Sequence, residues 1–294
     1  MRITNSLKYD TLAQNIETSL SNLNSVQQQI STGKKLTTFS DDPAGASQSV
    51  ALHSALADNT QYQRDAVQAK SFLSATDGAL SSASTIIQSA RQIAVQGANS
   101  DQTPESFTAL SDQVNGLIQQ LTQVANSDLH GRYLFSGTNT KTPPYDVTQT
   151  YQGNTQAVTA TVGPNYSLQI NTPGSAALGP AFAALKALQQ HLTAAAAGTA
   201  GAVSSISTDI SSVDTALSAN STARAGVGAK INEVDAVTQR LTRAQGEYQD
   251  SVSSIESVDL ATAYVQLQSA QNVYQASLAT TAKAFQFSLA DYLH

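Results

Sequence analysis

The sequence predicts a mainly α protein: an elongated helical rod with paired terminal helices and a small central β module. Three observations carry this. Apolar residues recur at alternating three- and four-residue steps near both ends, the spacing of a helical packing stripe. Between about Arg132 and Ile170 the period drops to two, as in strands. Gly33, Pro43 and Pro143-Pro144 punctuate the changes of pattern.

The first stripe runs Tyr9, Leu12, Ile16, Leu23, Val26 and Ile30, with Ser19 as its one polar member. Gly33 ends it, and Lys34 and Lys35 suit a helix C-terminus. Asp41-Asp42-Pro43 opens the next helix, with Asp42 placed to cap and Pro43 at the first helical position. Leu52, Leu56, Val67 and Leu73 lie on it, followed by a small-residue heptad of Ala79, Ala83, Ile86, Ala90, Ile93 and Gly97. A third stripe joins Phe107, Leu110, Val114, Leu117, Leu121 and Val124.

Arg132–Phe135 is β-prone and ends at Ser136-Gly137. Val158, Ala160 and Val162 alternate, Gly163-Pro164-Asn165 turns, and Tyr166, Leu168 and Ile170 alternate again, which predicts a hairpin. Helix returns near Phe182, and Ala194–Gly201 reads as a loose link. One register then extends from Val203 to Ile255 and slips at Glu256–Asp259. The last stripe is Leu260, Tyr264, Leu267, Tyr274, Leu278, Phe285 and Tyr292.

The organisation expected is a terminal helix over 1–42 paired with another over 259–294. Outgoing and returning halves of a rod follow over 43–140 and 181–258, with the β module at 141–180. Two helices are too few to cover both terminal seams, and an isolated pair of this composition is marginal in water. Further copies must supply the missing walls. Leu12, Ile16, Leu23, Val26, Ile30, Leu260, Tyr264, Leu267, Tyr274, Leu278, Phe285 and Tyr292 are therefore the candidate assembly interface, and Asp41, Asp42 and Pro43 the candidate boundary.

Composition narrows the function. Charged residues make up 12%, against roughly 25% in an average soluble protein. The net charge is −6 and the 15 Lys and Arg are scattered, which argues against nucleic acid. The absence of Cys removes disulfides and thiolate chemistry. The opening Met1-Arg2-Ile3-Thr4-Asn5-Ser6 leads into polar sequence, so no cleavable secretory signal is expected. No apolar run reaches the length of a membrane span.

Catalytic patterns are missing too. His53, His130, His191 and His294 have no partners at metal-ligand spacing, and a surface or helix-face role suits each. Adjacent Asp41 and Asp42 point apart on a helix start, which favours capping over acid–base chemistry. Gly226-Val227-Gly228 lacks the rest of a phosphate loop. Neither an enzyme nor a cofactor is expected.

Several stretches resemble the bacterial flagellin superfamily. They are Ile30-Ser31-Thr32-Gly33-Lys34-Lys35, Ser40-Asp41-Asp42-Pro43-Ala44-Gly45-Ala46, and Arg91-Gln92-Ile93-Ala94-Val95-Gln96-Gly97-Ala98-Asn99. Met1-Arg2-Ile3-Thr4, Gly131-Arg132-Tyr133-Leu134-Phe135-Ser136-Gly137-Thr138 and the ending from Leu278 to Leu293 are closest to its hook–filament junction branch. Gly45-Ala46 leans toward filament flagellin, and Ala290 stands where that branch suggests Phe.

The resemblance implies export through the flagellum's own type III channel and a homo-oligomeric ring between hook and filament. The partners it implies are the first hook-associated protein, flagellin, and an export chaperone on the C-terminal helix. Filament flagellin is the neighbouring alternative. An enzyme carried on a flagellin scaffold would need a site that the central residues do not show.

Overall fold

The structure is a computed structural model that describes the backbone of residues 2–99 and 101–292 and the side chains of residues 7–99 and 101–283. Its elements are α1 (Arg2–Thr32), α2 (Pro43–Gly97), α3 (Pro104–Ala125), β1 (Asp128–Leu129), β2 (Arg132–Tyr133), β3 (Thr159–Gly163), β4 (Tyr166–Gln169), α4 (Gly174–Ala177), α5 (Gly179–Ala196), α6 (Ala202–Glu256) and α7 (Leu260–Tyr292). The chain is mainly α. It divides into two compact units, 1–58 with 244–294, and 59–243, the divisions falling inside the continuous helices α2 and α6.

In the unit 59–243, α2 and α6 run antiparallel. Asn59 donates to the Leu241 carbonyl at 2.9 Å, Lys70 pairs with Asp235 at 2.6 Å, Arg224 with Asp77 at 3.2 Å and Arg91 with Asp214 at 2.6 Å. These ion pairs are half-exposed and contribute at most about 1 kcal/mol each, so they set register more than stability.

Burial supplies the stability. Leu73, Leu80 and Ile87 of α2, Val114 and Leu121 of α3, Leu185, Leu188 and Leu192 of α5, and Ile206 and Val213 of α6 are fully buried. Each contributes roughly 1.5–3 kcal/mol relative to exposure. Small residues let the helices approach, and at Gly97 an added Cβ would stand 2.7 Å from the Leu192 side chain.

α3 shows how its sequence places it. Thr103 caps it by accepting the Ser106 amide at 3.2 Å, with Pro104 in the first turn. Its buried face is Phe107, Leu110, Val114, Ile118 and Leu121. Leu117 and Val124, on the stripe read from sequence, sit half-buried at its edge. A straight helix has 3.6 residues per turn and drifts off a seven-residue repeat, so Ile118 takes the central place.

Two short antiparallel hairpins follow, β1–β2 and β3–β4. β1 and β2 turn through His130 (φ 52) and Gly131 (φ 76), the pair of positive φ values of a type I′ turn. The Arg132–Phe135 run is only half strand: beyond Tyr133 it is held by irregular backbone bonds, from the Leu134 amide to the Ser127 carbonyl and from the Gly174 amide to the Phe135 carbonyl, and by side chains. The Tyr151 hydroxyl donates to the carbonyls of Phe135 and Asn154, both at 2.9 Å. Asn154 accepts the Thr138 amide at 3.1 Å and donates to the Thr138 hydroxyl at 2.8 Å.

Gly137 sits inside this knot with φ 69, and a Cβ there would stand 2.2 Å from the Asn154 carbonyl oxygen. Gly137→Ala is expected to destabilise the chain by about 2 kcal/mol or more, from left-handed strain plus the clash. Gly78→Ala, in an open part of α2, is expected to stabilise by roughly 0.5–1 kcal/mol. Thermal melts of the two variants check both signs.

Candidate assembly interface

In the unit 1–58 with 244–294, α1 and α7 pack antiparallel. Midway along the pair the hydroxyls of Ser19 and Ser277 meet at 3.5 Å. Where α1 ends and α7 begins, Val258 donates to the Gly33 carbonyl at 3.0 Å and Lys35 to the Glu256 carbonyl at 2.6 Å, flanking a bridge between Lys34 and Ser257. Gly33 has φ 68, the left-handed residue that stops a helix.

All of Tyr9, Leu12, Ile16, Ser19, Leu23, Val26 and Ile30 are half-buried on α1, one face of a continuous heptad. On α7 the face turned the same way is Ala263, Leu267, Ala270, Tyr274, Ser277 and Thr281, with Ala263 and Thr281 buried. Leu267 and Tyr274 thus join the α1 residues. Leu260, Tyr264 and Leu278 do not: they lie on one flank of α7, 58%, 60% and 43% exposed. The side chains of Phe285 and Tyr292 lie outside the described residues. The residues named from sequence therefore form two surfaces, a seam within the pair and an exposed apolar flank beside it.

The segments joining the pair to α2 and α6 are tightly bonded. Asp42 accepts the amides of Ala44 at 3.1 Å and Gly45 at 3.0 Å, capping α2 at Pro43. Asp41 turns back to accept the amides and hydroxyls of Thr37 and Thr38, and these four bonds hold its carboxyl well below the usual range. Asp259 caps α7 through the Ala261 amide at 3.0 Å.

Sequence reasoning missed a fourth carboxylate. Glu256, the last residue of α6, accepts from Lys34 at 2.9 Å, from His53 Nε2 at 2.7 Å and from the Ser49 hydroxyl. Ser49 and His53 are one turn apart on α2, so they present donors on one face. About two hundred residues separate Glu256 from its donors, and no local pattern could reveal the cluster.

Both ends of the chain match known protein families. Residues 3–140 match the bacterial flagellin N-terminal helical region, and residues 210–293 match the bacterial flagellin C-terminal helical region. The chain belongs to the flagellin family. It is 34% identical over 177 residues to flagellar hook-associated protein 3 of Salmonella typhimurium, a match covering 60% of this chain and 56% of that relative. The match thus spans little more than half the length of that protein.

A flagellin of Halalkalibacterium halodurans is 25% identical over 268 residues, 90% of each chain. The fold is shared with the FlgL of Xanthomonas campestris, at a TM-score of 0.62 and 16% identity, over 69% of this chain and 99% of that one. As a member of the flagellin family the chain is structural, not an enzyme. Its flagellin-type stretches at Ile30–Lys35 and Ser40–Ala46 are the segments that form the helix stop, the caps and the bonds to Glu256.

The Glu256 cluster has a readable pH signature. Bonds from Lys34 first, then Ser49 and His53, lower its carboxyl from an ordinary 4.5 to about 2. A carboxyl with a lowered folded-state value stabilises fully above its unfolded value and ceases to as pH falls through the folded one. The part of the stability difference between the native chain and Glu256→Gln that comes from this carboxyl should therefore be present at about pH 5 and vanish between 4.5 and about 2. Chemical denaturation of the two proteins across that range checks it.

Proposed function

We propose that this flagellin-family chain is the junction subunit of a bacterial flagellum, forming a homo-oligomeric ring between the hook and the flagellin filament. The observation that carries this is the flank of Leu260, Tyr264 and Leu278, left exposed beside a terminal helix pair that already uses its other face. An apolar row of this kind on a structural chain is suited to burial against further chains. The higher identity to a hook-associated protein 3 than to filament flagellins favours the junction over the filament.

In this reading, the first hook-associated protein lies on one side of the ring and flagellin on the other. The assembled protein is extracellular, reached through the flagellar export channel. An export chaperone covers the C-terminal helix beforehand, shielding the same apolar flank. Asp41, Asp42 and Pro43 mark where the assembling pair ends.

Filament flagellin is the second reading, favoured by the long match to the Halalkalibacterium protein. One experiment separates them. Deleting the gene in its parent bacterium should leave hooks without filaments and shed full-length flagellin into the medium, with loss of motility. Normal filaments on the deletion strain would refute the junction role. Loss of the flagellin itself, with no other monomer shed, would assign the chain to the filament.

A further inference from the structure

Two single strands of chain, 33–42 and 257–259, are the covalent links between the α1–α7 pair and the ends of α2 and α6. Neither is helical, and the Asp41 bonds to Thr37 and Thr38 brace the longer one against itself rather than against the other. The backbone bonds that tie one to the other near the crossing are those of Lys35 to Glu256 and Val258 to Gly33, with the bridge of Lys34 to Ser257. Two backbone bonds are a small tie, and hinges are built from a few terminal residues of this kind.

What stiffens the crossing is the Glu256 side chain. Its carboxylate joins two places that must move relative to each other if the pair swings: Lys34 after α1, and the face of α2 that carries Ser49 and His53. It is 13% exposed while Lys34 is 55% exposed. The carboxylate is therefore the fixed centre, and the lysine reaches in to it from solvent. Charge-assisted bonds in a shielded place are stronger and more directional than exposed ones.

We infer that Glu256 is a positioning residue, locking the direction in which the α1–α7 pair leaves α2 and α6 and so presenting the terminal helices in register for assembly. This rests on the assembly reading, and it places the control of that assembly outside the interface itself. A subunit whose pair swings freely would lose orientational entropy on joining its neighbours, whereas a locked pair is ready to dock.

The chain lacks Cys, so spin labels can be placed cleanly. Ser21→Cys with Gln249→Cys, both at exposed positions, reports the distance between α1 and α6 across the crossing in the full-length chain. Ser21→Cys with Gln275→Cys reports the α1–α7 pair alone. In Glu256→Ala the first distance distribution should roughly double in width or move, while the second stays as in the native chain, and motility should fall. An unchanged first distribution would overturn the inference. So would broadening of both, because Glu256 would then hold the pair together rather than aim it. A broad first distribution in the unmutated chain would show that there is no fixed direction to lock. Altered distances with full motility would remove the link to assembly. Normal filaments in a gene deletion would instead strike the junction reading and leave the distance result standing.

Discussion

Leu121→Arg is expected to lower the melting temperature of the purified chain by on the order of 10 °C, a larger loss than Gly137→Ala or any change on the terminal helices should cause. Leu121 is fully buried on α3, in the cluster that includes Leu185, Leu188 and Ile206. A guanidinium there has no carboxylate within the apolar cluster to meet it and must either be buried unpaired or force the helices apart. Either costs about 4 kcal/mol or more. For a unit of this size each kcal/mol moves the transition by roughly 2–4 °C, which gives the figure above. Leu117→Arg, one turn away at the half-buried edge, can swing its charge into water and should cost far less. Melts of the two variants test whether the α3 face is set by Ile118 and Leu121. Equal losses would mean that the edge position is as buried as the centre.

The contrast between Leu117 and Leu121 shows where sequence is legible. The helices, the stop at Gly33, the cap at Asp42-Pro43 and the hairpin around Gly163-Pro164-Asn165 each rest on residues near in sequence, and local chemistry announces them. The α1 stripe is legible because every member of the seam but Ser19 is large and apolar. On α7 the large apolar residues divide, Leu267 and Tyr274 lying on the seam with α1 and Leu260, Tyr264 and Leu278 on the exposed flank. The rest of the seam is Ala263, Ala270, Ser277 and Thr281, whose small size permits close approach but carries little hydrophobic signal.

Polar tethers are the other silent class. Tyr151 and Asn154 hold the Phe135–Thr138 segment, and Glu256 gathers Lys34, Ser49 and His53. A Tyr, an Asn or a Glu looks the same in sequence whether its partner is water or a residue two hundred positions away. The candidate site is thus visible as a set of apolar residues but not as two surfaces, and its polar anchor is not visible at all.

The two surfaces separate the last prediction from the first. Leu278→Arg should abolish motility while leaving the melt of the purified chain within about 0.5 kcal/mol of the native one, the usual range for an exposed substitution. Leu278 is 43% exposed on the flank of α7, so in the single chain the new side chain extends into water. In an assembly that covers this flank the same guanidinium becomes buried without a partner, at a cost of several kcal/mol in every copy. A ring repeats the defect at each interface, so the loss is not diluted by neighbours. Leu267→Arg provides the comparison, since Leu267 belongs to the seam with α1 and its replacement should loosen the pair before any partner arrives. Circular dichroism and melting curves on both proteins, beside swimming assays of the matching strains, distinguish the two. Full motility with Leu278→Arg would mean that the flank stays open to solvent in the flagellum. A melt lowered as far as that of Leu121→Arg would mean that the flank is already packed in the single chain. Either result would end the case that Leu260, Tyr264 and Leu278 await another subunit.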